Sequence, residues 1–298
     1  MSSAFHRGHV LAFGASLFWG LMPVYFKLLG SVGALEIVAH RILWAVPALL
    51  LILALRHSLG ELRQTLANRR LSGWLMLSSL LIAANWLIYV WAVNADLIVA
   101  ASLGYFISPL MSVLLGTLFL RERLIRLQWL AIAVATLGVL LLARDAWQSL
   151  WVSLLLGGSW ALYSLVRKIV ATGPITGLTV ETALLWPPAL GYLLWLSAAS
   201  DSLAFGNDAG TDLLLVGGAV VTIIPLMLFA SAVRTVALST MGLMSYIAPM
   251  MQFMIGVIAY REPLTSAHWL AFPLIWSALA LYSVASWQAA SVNRQVAS

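Results

Sequence analysis

Cysteine is absent from this 298-residue chain. Its absence excludes disulfide frameworks, thiolate metal sites and cysteine nucleophiles together, and leaves the redox compartment open. Charge is nearly as scarce. Only 9% of residues are Asp, Glu, Lys or Arg, against roughly 25% in a soluble domain. A water-soluble globule of this length could not cover its surface with so few, so a soluble enzyme is excluded. No HExxH, GxSxG or Walker A run occurs. The five histidines, at positions 6, 9, 40, 57 and 268, show no ligand spacing. No catalytic residue, cofactor or metal is therefore expected. The net charge of +6 includes no basic tract long enough to follow a phosphate backbone, so nucleic acid is not an expected partner.

What fills the chain is apolar: 62% of residues are hydrophobic and the mean hydropathy is +0.99. A membrane span takes about 20 such residues. Ten candidate segments follow, at roughly 9–29, 33–55, 73–94, 98–120, 127–143, 149–169, 176–198, 213–234, 238–260 and 266–287. Two connections have length, Arg56 to Ser72 and Ala199 to Asp212. The first is basic, with Arg56, Arg63, Arg69 and Arg70 against Glu61 alone; the second holds three aspartates and no base. Placing the first inside puts twelve of the 16 basic residues in the cytoplasm, so both termini are expected there. The lipid bilayer is the expected surrounding.

An internal repeat supplies the mechanism. Residues 103–131 lie over 243–271 at an offset of 140, with eleven of 29 positions identical. They include Pro109 with Pro249, Gly116 with Gly256, Arg121-Glu122 with Arg261-Glu262 and Trp129 with Trp269. Earlier, Trp19 and Lys27 match Trp160 and Lys168 at an offset of 141. Five spans per half is an odd number, so the second half enters the bilayer from the opposite side. The expectation is an all-α membrane protein with ten transmembrane helices as two inverted five-helix repeats, 9–143 and 149–287. Inverted repeats suit secondary transporters that expose one central site alternately to each side. A small-molecule substrate is then the expected partner. A channel or membrane receptor without carrier activity is the alternative.

Ionisable residues inside spans are costly and point to function. Glu36, His40 and Arg41 share the second segment, and Glu181 lies in the seventh. Arg41 sits too deep to reach water comfortably, and must meet a carboxylate, backbone carbonyls or a substrate anion. The functional reading makes these groups gating or coupling pairs, with protons as a candidate coupling ion. The structural reading makes them a fixed ion pair. Asn85 lies mid-segment beside Tyr89 and Trp91; Tyr105 and Ser108 precede Pro109, and Tyr246 precedes Pro249. Aromatic rings with a few polar groups suit a pocket for small organic molecules. Prolines at matched places are expected to bend their helices toward that pocket. Whether the chain acts alone or as a homodimer is open.

The runs EIVAHRILW, NWLIYVWAVN, ASLGYFISPLMSVLLGTLFLRERL, LVRKIV, ALSTMGLMSYIAPMMQF and LIWSALALY resemble the RarD proteins of the EamA group, within the drug/metabolite transporter superfamily. The resemblance extends over about residues 8–287. It implies a permease of the bacterial cytoplasmic (inner) membrane, built from two EamA repeats and moving a small organic metabolite or drug. The family is named for chloramphenicol sensitivity or resistance. Two positions depart from its pattern: Ala100 stands where a Glu precedes ASLGYF, and Ser108 where an Asn occupies the ISPL run.

Overall fold

The computed structural model describes residues 2–94, 98–145, 150–199, 203–259 and 266–296, and all regular structure among them is helical. The helices are α1 (Ser2–Gly20), α2 (Met22–Leu28), α3 (Ala34–Leu55), α4 (Leu59–Ala67), α5 (Arg69–Asn94), α6 (Ile98–Phe119) and α7 (Arg126–Asp145). They continue with α8 (Leu150–Ile169), α9 (Pro174–Ala199), α10 (Ala209–Val233), α11 (Leu238–Met244), α12 (Ile247–Ile258) and α13 (Ser266–Val296). Among the described residues six stretches are long and apolar enough to cross a membrane: Arg7–Leu28, Ala34–Leu55, Arg69–Tyr89, Arg126–Arg144, Leu150–Ile169 and Ala209–Val233. Leu103–Phe119 and Trp269–Tyr282 are shorter apolar helices. Many large side chains face outward, Leu55 at 71% exposure and Leu213 at 74%. In water that surface would be a liability; against lipid tails it costs nothing.

Several expected boundaries move. The connection from Arg56 to Ser72 contains α4, and α5 already begins at Arg69. Glu61 of α4 accepts the Gly173 N–H at 2.9 Å, which ties this short helix to the α8–α9 turn. The last helix runs to Val296 rather than 287. Two expected segments are broken rather than continuous. Proline at 23 has no N–H to offer the Trp19 carbonyl, and the chain is interrupted at Leu21 between α1 and α2. The freed Trp19 carbonyl accepts from Gln252 Nε2 of α12 at 2.8 Å instead. Pro249 likewise leaves Ser245 without its usual donor, and the chain turns at Ser245–Tyr246 between α11 and α12. Pro109, by contrast, sits inside a continuous α6. Arg261 and Glu262 lie outside the described residues.

Packing sets the directions. Leu49 and Leu53 of α3 meet Ile175 and Leu178 of α9, whereas Ala39 and Ile42 meet Ala189 and Leu193. Helices α3 and α9 are therefore antiparallel. Against α10 the order runs the same way, from Ile37 with Leu215 to Leu49 with Ile223 and Leu226, so that pair is parallel. Helix α6 packs on α8 and α11, α7 on α13, α1 on α10 and α12, and α5 on α8 and α9. The α6–α8 contact depends on small residues. A Cβ on Gly104 would fall 2.8 Å from Leu156 Cβ, and one on Gly157 would fall 3.0 Å from the Gly104 carbonyl oxygen. Without side chains there the two backbones touch directly.

After α6, Glu122 turns back to accept from the Leu238 and Ser239 N–H groups at 2.6 and 3.0 Å and from Ser239 Oγ at 2.6 Å. Two N–H groups that the start of helix α11 would leave unsatisfied, and a serine hydroxyl, are thereby matched by one carboxylate. Arg121 before it adopts φ of 54°, a left-handed conformation that turns the chain toward α11.

Candidate functional site

A cavity of about 500 Å³ opens among α1, α2, α3, α5, α6, α8 and α12. Its walls are mainly aromatic and aliphatic, with Trp19, Phe26, Trp86 and Trp160 among them. It reaches the turn between α2 and α3, where Gly30 and Val32 line it.

Arg41 is the charged centre of this space. Its Nε donates to Thr222 Oγ1 at 2.8 Å, and that hydroxyl donates onward to the Gly218 carbonyl at 2.8 Å. A Cβ on Gly218 would fall 2.8 Å from Arg41 Cγ, so glycine is what lets the arginine stem lie against α10. The guanidinium sits over Trp86 at 5.4 Å and Phe26 at 5.7 Å, a favourable cation–π arrangement when desolvated. Around it, Tyr89 and Tyr105 pack 5.9 Å apart. Asn85 donates both amide hydrogens, to the Leu156 carbonyl and Ser159 Oγ, each at 2.9 Å. Ser108 Oγ is buried in the same wall and has no hydrogen-bond partner among the described residues.

Glu181 occupies the other end of α9, beside the α8–α9 turn. Its Oε1 accepts from Ser78 Oγ and from Arg167 Nη1, the latter at 3.3 Å, and its Oε2 accepts from Tyr163 at 3.3 Å. Ser79 Oγ donates to the Glu181 carbonyl at 3.0 Å. Arg167 Nη2 reaches the Pro174 carbonyl at 3.3 Å. Glu181 and Arg167 are each 2% exposed, so this is a buried pair with hydrogen bonds on both partners. It cross-links α5, α8 and α9 at the end remote from Gly30.

Of the sequence-derived candidates, Arg41, Asn85, Tyr89, Tyr105, Ser108 and Pro249 line the cavity. The others lie elsewhere. Glu36 accepts from the Ala204 and Phe205 N–H groups at 2.9 and 3.3 Å and holds the segment before α10. His40 stacks on Phe205 at 4.8 Å, accepts from Trp44 Nε1 at 3.2 Å and lies 3.9 Å from Glu36. Trp91 is half exposed and packs on Trp151 at 5.4 Å. Pro109 is buried against Gly242 of α11, and Tyr246 is fully buried beside Phe106 at 6.1 Å. Arg41 meets neither Glu36 nor Glu181 within ion-pair distance among the described residues. Sequence reasoning passed over Thr222, Gly218, Gln252 and the partners of Glu181. A lone Thr or Ser carries no signal, and in the sequence Arg167 is simply one of the twelve bases on the cytoplasmic side.

Comparison with known proteins places the chain. The EamA-like transporter family matches residues 6–144. "Protein RarD" of Streptomyces exfoliatus is 42% identical over 289 residues, covering 97% of this chain and 90% of that protein. The chain belongs to the RarD family of EamA-type transporters. A relative from Vibrio cholerae called "Uncharacterized transporter" is 39% identical over 289 residues, covering 97% of this chain and 96% of the relative. A solved structure described as "Crystal structure of protein" superposes with a TM-score of 0.70 at 19% identity, covering 93% of this chain and 97% of the other. That likeness concerns the fold alone. The RarD membership makes this a multi-pass bacterial membrane protein of a transporter family, with lipid around it and a small molecule as its cargo.

Proposed function

We propose that this chain is a ten-span carrier of the bacterial inner membrane that moves a small organic metabolite or drug by alternating access, with both termini cytoplasmic. Its two halves, 9–143 and 149–287, are inverted repeats, and the cavity at Arg41 is the cargo site. One observation carries the reading: the cavity reaches the α2–α3 turn, while behind its Trp160 wall Tyr163 packs on Trp160 and donates to Glu181 of the buried Glu181–Arg167 pair. An opening on one side and a plug on the other are what one end state of an alternating-access cycle requires.

Contacts between matched residues support the inversion. Trp19 and Trp160 meet edge to face at 5.1 Å, and Phe106 meets Tyr246, 140 positions later, at 6.1 Å. Equivalent residues touch each other where they lie near a two-fold axis. Helix partnerships also survive exchange of the halves: α5 on α8 becomes α10 on α1, and α6 on α8 becomes α12 on α1. Such near-equivalence lets the halves trade conformations, which moves the plug to the other end.

Reconstituted full chain in proteoliposomes tests this. A preloaded mixture of amino acids, organic acids and chloramphenicol should yield at least one solute whose entry saturates and is accelerated by counter-solute. Flux that never saturates marks a channel and refutes the carrier. Single thiols placed by Arg126→Cys and Ser266→Cys should label from opposite compartments; labelling from the same one ends the inverted arrangement.

A further inference from the structure

The charge of the cavity wall is one-sided. Among the described residues two that line it are basic, Arg41 and Lys27, and none is acidic. Half-buried Arg41 is also held in a manner unlike that of the buried Arg167. Arg167 has a carboxylate partner; Arg41 has only the Thr222 hydroxyl on Nε, and aromatic rings at its faces. Among the described residues neither Nη has an acceptor. Arg41 lines the open space while its Nε is held by Thr222, and a guanidinium held in that way leaves its Nη groups to match the two oxygens of a carboxylate. Such a charge within an apolar layer is costly until an anion arrives.

Other groups in the wall agree. Ser108 Oγ is buried and unpartnered among the described residues, and so is available to donate to a ligand oxygen. Both amide hydrogens of Asn85 are engaged. A ligand ammonium would find no carboxylate among the described residues of the wall, whereas a flat apolar body would find Trp86, Trp160 and Phe26. The volume of about 500 Å³ lies in the usual range for small organic ligands.

We propose that the cavity takes a small organic carboxylate with an aromatic or apolar body, its carboxylate on the Nη edge of Arg41 and its body among Trp86, Trp160 and Phe26. This deepens the carrier reading and rests on it for the cargo's passage, though not for its binding.

Calorimetric titration of the full chain in nanodiscs, with four probes of one shape, tests it: phenylacetate, phenylacetamide, phenethylamine and phenylalanine. Phenylacetate should bind saturably, at least about tenfold tighter than the amide, amine or zwitterion, the separation expected for one charge-assisted bidentate contact. Arg41→Gln should abolish that preference, and Arg41→Lys should keep part of it. The proposal is overturned if phenylacetate shows no saturable binding, if the amide or amine binds equally well, or if Arg41→Gln retains the preference. Should Arg41→Gln fail to fold, the ranking of probes on the unaltered chain decides the matter. Acid binding without counterflow would refute the carrier and leave this proposal standing. Counterflow without a preference for acids would do the reverse.

Discussion

Glu181→Gln is the sharpest perturbation of the closed end. The substitution keeps shape and most hydrogen bonds: the amide oxygen can still accept from Ser78, the NH2 can donate to the Tyr163 hydroxyl, and Arg167 Nη2 still reaches the Pro174 carbonyl. What disappears is the negative charge 3.3 Å from Arg167 Nη1. Arg167 is then a buried cation whose Nε already lacks a partner among the described residues. Removing one member of a buried ion pair costs roughly 3–5 kcal/mol, and retained hydrogen bonds reduce this to about 2 kcal/mol here. Opening this end would wet Arg167 and relieve the cost, so the equilibrium should move toward the open form about 30-fold. The natural lack of cysteine makes the assay clean. Ser245 lines the cavity, and Ser245→Cys supplies the sole thiol. In oriented proteoliposomes that thiol should react with an impermeant reagent from the α2–α3 side. Adding Glu181→Gln should raise its reaction rate from the opposite side about 30-fold, by the same free-energy relation. The further change Arg167→Gln, which leaves no unpaired charge, should reverse much of the gain. An unchanged rate from the α8–α9 side, in protein that elutes and melts normally, would refute the plug. An equal rise from both sides would mean general loosening, and would refute it too. If Glu181 also carries a proton, the same variant should lose any dependence of uptake on a pH gradient.

Two further outcomes are expected. Gly104→Leu inserts a side chain where even a Cβ would crowd Leu156 and the Ser153 carbonyl; overpacking of this kind costs about 1–3 kcal/mol. It should lower the melting temperature in detergent, and an unchanged melt would mean that α6 and α8 do not rely on that contact. Outside the membrane, Asp208 caps α10, accepting from Thr211 N–H at 2.7 Å and Oγ1 at 2.9 Å. These bonds hold its carboxyl below the ordinary carboxylate range. A depressed carboxylate stabilises the fold above its unfolded pKa, and that contribution fades as pH falls through the folded value. Asp208→Ala should therefore destabilise at neutral pH and flatten the acid side of the stability profile; a parallel shift at every pH would contradict this origin.

Family membership, helical class and the paired prolines were legible in the chain because they depend on local pattern and composition. Arg41 and Asn85 stood out for the same reason: a polar side chain is conspicuous in an apolar run wherever that run folds. The repeat is itself a pattern of the sequence, since Trp19 with Trp160 and Pro109 with Pro249 are matched by offset alone. Helix α4 was not, because its short polar run, with Arg63 and Glu61, reads as a solvated loop. Nor was the break at Leu21, which needed Gln252 to satisfy the Trp19 carbonyl.

By itself the sequence determined that the chain lives in lipid as helices, since too few charges exist to cover it in water, and that certain polar groups are buried. Only the tertiary structure decided which partner each of them has. Arg41 bonds Thr222 across 181 positions, and Glu181 bonds Ser78 across 103. Such pairs are set by which helices pack together, a choice that the local hydrophobic pattern leaves open because the long helices are apolar on nearly every face.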